Sequence, residues 1–179
     1  MSNSSEPYQE PDLVKVKSFR KPSDWVQYVV DCLKSRLNIE LDSAYVREAK
    51  EPKQTYFAYQ VGDSNVLNQR ANDGRKLHEV ELRFLVYVPL AVPNFDLEAL
   101  DASTRIEREF VDEFLGIGNN AEETRLVSNQ PRKFDPKMGV FLRTVVVQQR
   151  IYMGEVDEET LPFSGGELNV TEPSDQESV

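Results

Sequence analysis

From Lys76 to Leu90 the chain reads KLHEVELRFLVYVPL, fifteen residues that alternate with a period of two. His78, Val80, Leu82, Phe84, Val86 and Val88 share one face, and Leu77, Glu79, Glu81, Arg83, Leu85 and Tyr87 share the other. At about 3.3 Å per residue such a strand runs for roughly 50 Å, against a usual length of about 5–6 residues. A second long strand is expected from Gly139 to Met153, where TVVV is apolar on both faces, as in a strand covered twice. Shorter strands are expected at QTYFAYQV and TRLVS, with briefer extended stretches at AYVREA and LVKVKSF.

Two segments change to a helical period. In KPSDWVQYVVDCLKSRLN, Pro22 suits a first turn, and Trp25, Val29 and Leu33 lie one above another, flanked by Val26, Val30 and Leu37; Asn38 ends the helix. A second helix is predicted from Phe95 to Leu115, capped by Asn94 and stopped at Gly116-Ile117, with Ile106, Phe110 and Phe114 on its buried stripe. Between these elements, Gly62–Arg75 reads as a fourteen-residue loop and NQPRKFDPK as another. The order gives an α+β domain: a mostly antiparallel sheet with two very long strands and two helices packed on one face. The boundaries are a flexible N-terminal arm over 1–20, a single domain over 21–155, and an acidic tail over 156–179.

Charge sharpens this division. Of the net −10 on 179 residues, residues 153–179 contribute eight Asp or Glu and no Lys or Arg, so the body is nearly neutral. Neither part suits sequence-specific binding of nucleic acid. No apolar run approaches the ~20 residues of a membrane span. The N-terminus lacks the pattern of a signal peptide, so the reading is a chain made in the cytoplasm with no membrane partner. Cys32, the single cysteine, excludes an intrachain disulfide and fits a small buried hydrophobe in the first helix.

The sequence offers little for catalysis. HEVE lacks the second histidine of a zinc protease motif, and one His with one Cys does not fill a usual zinc site. There is no G-x-S-x-G, P-loop or G-x-G-x-x-G pattern, and RIERE reads as a solvated helix face. The expectation is therefore a non-enzyme with no cofactor and no metal. Overlong strands expose edges that another subunit usually covers. On the second face of Lys76–Leu90, Glu79, Glu81, Arg83, Leu85 and Tyr87 form a pattern suited to a polar subunit contact with an aromatic anchor.

The stretches DWVQYVVDCLKSRL, KLHEVELRFLVYVPL, ALDASTRIEREFVDEFLGIG and VFLRTVVVQQRIYMGE, in this order, resemble the tail terminator and neck proteins of tailed bacteriophages. The likeness is one of pattern and size over about Ser23 to Glu155. It implies a structural virion protein, a six-membered ring at the head-proximal end of the tail that ends the tube and joins it to the neck. DNA would pass through such a ring without being read. The implied partners are further copies of the chain, the tail tube protein, the sheath in a contractile tail, and neck or head–tail adaptor proteins. On this reading Asn65, Gln69, Arg70 and Asn72 of the first loop, with Arg132 and Lys133 of the second, face the adjacent tier. Leu161, Phe163 and Leu168 of the tail would dock on a neighbouring tier. The competing functions are another head–tail connector, a tail-completion or tube-like protein, and a soluble adaptor whose acidic tail engages a basic partner.

Overall fold

Pro22 opens α1 (Pro22–Leu37) at a position where its missing N–H costs nothing, and Asn38 closes it in the left-handed conformation that its short side chain tolerates. The computed structural model describes residues 18–46, 53–110 and 121–155. The remaining elements are β1 (Leu41–Ser43), β2 (Tyr56–Arg70), β3 (Lys76–Pro89), α2 (Phe95–Arg108), β4 (Arg125–Asp135) and β5 (Val140–Met153). They form an α+β unit in which one five-stranded sheet has the order β1-β2-β3-β5-β4. Every pairing is antiparallel except β1 with β2. β3 and β5 are paired along their whole lengths, Lys76 opposite Met153 and Pro89 opposite Val140.

Both helices pack on the same face of this sheet. Trp25, Val29 and Leu33 of α1 and Ala99, Ala102 and Ile106 of α2 meet Val80, Leu82, Phe84, Val86, Val145 and Val147 in one core. Phe110, just past α2, is fully buried and stacks on Phe84 at 5.4 Å between ring centres. Polar groups buried under the helices are paired: Trp25 Nε1–H donates to Gln149 Oε1 at 2.8 Å, Gln149 Nε2 donates on to the Glu122 carbonyl, and Ser103 Oγ donates to the Leu100 carbonyl at 2.9 Å. Pairing Trp25 with Gln149 removes the cost of burying an amide and an indole N–H together.

Several expectations change. The first loop is strand for most of its length: β2 continues to Arg70, and the connection narrows to a turn at Asn72–Gly74, closed by Ala71 N–H to Arg75 O at 2.8 Å. Gly74 takes φ 85°, the left-handed geometry that a three-residue hairpin loop requires. Two bulges, between Val61 and Ser64 and between Val66 and Arg70, break the alternation that would have marked this stretch as a strand.

The second loop is likewise strand up to Asp135, followed by a turn in which Asp135 Oδ1 accepts from the N–H groups of Lys137 and Met138. Pro131 is tolerated there because β4 is an edge strand and is bulged beside it. Asn94 precedes α2 at φ 52° without a side-chain cap, so that helix starts from a left-handed turn. Cys32 is half-buried instead of fully enclosed. Tyr45 and Val46 lie in a turn after β1, so they do not begin a strand. Most of LVKVKSF, the rest of AYVREA, the Gly116-Ile117 stop and the acidic tail fall outside the described residues.

Candidate interaction face

Because both helices cover one side, the odd positions of β3 and the even positions of β5 lie on a face that carries no helix. The register places Arg83 opposite Val146, Leu85 opposite Thr144 and Tyr87 opposite Leu142, with Gln60 and Ala58 of β2 and Gln130 of β4 beside them. All five residues expected at a subunit contact, Glu79, Glu81, Arg83, Leu85 and Tyr87, are on this face. Each already has a place within its own chain. Tyr87 stacks on Tyr56 with ring centres 4.4 Å apart and planes within 9°. Glu79 accepts from Arg150 Nε at 2.8 Å, and Arg150 also reaches Glu122 at 3.4 Å. The hydrogen bond that Arg150 donates to Glu79, with the charge of Glu122 behind it, raises the pKa of Arg150 further.

Glu81 is the unexpected member. Only 8% exposed, it holds Arg83 Nε and Nη2 on one carboxylate oxygen, each at 2.6 Å, and accepts from Gln148 Nε2 on the other at 3.1 Å. Its carboxylate occupies the space above Gly62, where a β-carbon would overlap it. The bulge after Val61 thus supplies the room for a buried carboxylate paired with a part-exposed guanidinium. Nothing in the strand alternation signalled this, because Glu81 and Arg83 read as ordinary solvent-facing charges.

Between these groups lies a groove of about 330 Å³ whose sides are Gln60, Glu81 and Arg83 on one flank and Gln130 and Arg132 on the other. Its floor is Leu85, Leu142, Thr144 and Val146. Arg132 and Lys133 therefore stand on edge strand β4, where Lys133 pairs with Asp135 at 2.6 Å. Asn65, Gln69 and Arg70 stand on β2 and Asn72 in its turn, apart from Arg132 and Lys133 at the other edge of the sheet. The structure does not bring these six residues into one cluster.

The sheet edges are unequal. Among the described residues, β1 pairs with the outer edge of β2 only at Phe57–Tyr59, so residues 60–70 carry no outer neighbour. Val61 and Val66 on that stretch are 42% and 59% exposed. Among the described residues β4 has no outer neighbour either. Among the described residues no group of three His, Cys, Asp or Glu is placed to hold a metal ion, and no helix is long and apolar enough to cross a membrane. Compared with models of known protein families and with curated protein sequences, the chain matches none. Leu161, Phe163 and Leu168 lie outside the described residues.

Proposed function

We propose that the chain is a self-assembling structural subunit, a ring-forming component of the head–tail junction of a tailed bacteriophage, of the terminator or neck kind. The observation that supports this most is that, among the described residues, β2 past Tyr59 and β4 have no outer neighbour on a sheet of long strands. β2, whose outer side past Tyr59 lies beyond the short β1, and β4 at the other end of the order run in opposite directions, because β2, β3, β5 and β4 alternate. Copies related by rotation about an axis therefore bring β4 of one beside β2 of the next in antiparallel orientation. A head-to-tail contact of this kind closes into a ring and removes both edges. Phage origin, the count of six and the tier partners rest on the resemblance: the tail tube protein, the sheath in a contractile tail, and neck or adaptor proteins. On this reading β3 and β5 are the two very long strands of the family pattern, and the virion is the site of action.

The test is assembly with and without the β2 edge. Val66→Lys places a charge on an exposed edge position, where substitutions usually change stability by no more than about 0.5 kcal/mol. The variant is expected to melt like the parent and to remain a monomer at concentrations where the parent forms rings. A Val66→Lys protein that assembles as well as the parent would refute edge pairing.

A further inference from the structure

The two outer edges of the sheet match each other in length and in irregularity. Among the described residues, β1 covers the outer side of β2 only as far as Tyr59, whose carbonyl accepts from Ala44 N–H at 2.8 Å. What remains, residues 60–70, is as long as β4, which has 11 residues. Laid antiparallel and end to end, Gln60 falls opposite Asp135 and Arg70 opposite Arg125. In that register the bulges coincide. The break between Val61 and Ser64 meets the one between Pro131 and Lys133, and the break between Val66 and Arg70 meets the one between Leu126 and Ser128. A bulge bends and twists its strand, so edges bulged at the same steps can follow one another, whereas unmatched bulges would part them. Pro131, which has no N–H to give, falls opposite Ser64, where both ladders are already interrupted.

Side chains agree with the same alignment. Val61, opposite Leu82, and Phe134, opposite Phe141, both lie on the helix-covered side of the sheet; they are 42% and 57% exposed. Asn65, opposite Glu79, and Gln130, opposite Thr144, both lie on the helix-free side. A slip of one residue would set unlike faces against each other. Asp63 meets Arg132, and Arg70 and Arg125 at the far end belong to opposite faces. Among the described residues, the large hydrophobic side chains left exposed outside α2 all stand at these two edges. They include Val61, Val66 and Tyr45 at one and Val127, Phe134 and Met138 at the other. We propose that β4 of one copy pairs with residues 60–70 of the next in this register, Val61 on Phe134 and Asn65 on Gln130, with Asp63 against Arg132. The inference rests on the edge contact proposed above and gives it a residue-by-residue partner; it needs a second copy, but neither a closed ring nor a phage.

The experiment uses full chains carrying Cys32→Ser, which removes the single native thiol, and mixes two single-cysteine variants under mild oxidation. Directly opposite Cα atoms in an antiparallel pair lie about 4.5–5.5 Å apart, inside the ~7 Å limit for a disulfide, whereas a four-residue displacement puts them about 13 Å apart. Val61→Cys mixed with Phe134→Cys is expected to form a disulfide between the two variants, and so is Asn65→Cys mixed with Gln130→Cys. The second pair stands on the other face and keeps the test decisive if Phe134→Cys, which loses its stack on Phe95, fails a thermal melt. Val61→Cys with Gln130→Cys, and each variant alone, are expected to give no bond. Folded mixtures in which neither matched pair bonds, in which Val61 and Gln130 positions bond as fast as the matched ones, or in which a variant bonds to its own kind would each overturn the proposal. Light scattering of the same samples separates it from the ring. Multimers without a matched bond would overturn this register and leave the ring standing; matched bonds in a sample whose mass stops at two protomers would keep the register and refute the ring.

Discussion

At the scale of single residues, the informative groups are those whose environment contradicts their type. Glu81 looks like a surface acid by its spacing, yet it is buried, and Gly62 leaves its carboxylate room. Gly62→Ala is expected to cost about 1–3 kcal/mol, because Glu81 is pinned by Arg83 and Gln148 and cannot simply swing away. In a double-mutant cycle with Glu81→Ala, urea unfolding should show that the two losses do not add; strict additivity would contradict this contact.

Arg83→Glu also removes the partner of that buried carboxylate, so it would lower monomer stability as well as disturb any subunit contact. His78, the sole histidine, gives a pH signature. Burial lowers its pKa from the ordinary 6.5, and the charge of Lys76 adds to the effect. The unfolded chain therefore takes up a proton near pH 6.5 that the folded chain accepts only at lower pH. Stability is expected to fall as pH drops through that window and to be flat above it. His78→Gln should abolish the slope in urea midpoints just below about pH 6.5; an unchanged slope would rule out His78 as its source. Asp73 and Asp135, whose pKa values are lowered by hydrogen bonds from Arg75 and Lys133, act further down. Their contribution is present above the ordinary carboxylate range and is lost as pH falls through their folded values.

At the scale of elements, what could be read from the sequence depended on burial. The helix of Trp25, Val29 and Leu33 and the core face of Val80, Phe84 and Val86 were legible because one side of each packs against a continuous core. β2 beyond Val61 was not, since it is an exposed edge on which neither face is buried, so Gly62, Asp63, Ser64 and Asn65 obey no alternation. The missed signal was Asn72-Asp73-Gly74, a hairpin turn sequence that marks the true length of the connection. β4 was hidden by Pro131 and by its own bulges for the same reason. The five residues chosen for the second face of β3 do share that face, since period two carries the assignment by itself. The groove was out of reach, because it joins positions on β2, β3, β5 and β4 that only the sheet order brings together. The same edge exposure underlies the prediction for Val66→Lys: an element that reads as a loop in one chain is the element with most to gain from a second.

At the scale of the whole molecule, the helices protect one side of the sheet and leave three features facing outward: the β2 edge, the β4 edge and the groove. A strand of fourteen residues extends for about 46 Å, longer than the roughly 40 Å diameter of a compact domain of this size. β3 is central and fully paired, so its length is sustained by β5 on one side and by the bulged, exposed β2 on the other. On the proposed reading the outer strands acquire neighbours from further copies. The most direct measurement is the native mass of the purified full chain by light scattering up to its solubility limit, with electron microscopy of the same sample. The account predicts closed rings of about six copies, near six times the 20.5 kDa protomer, with β2 and β4 edges in contact around the ring. A mass of one protomer at every concentration, with no rings in the images, would contradict it.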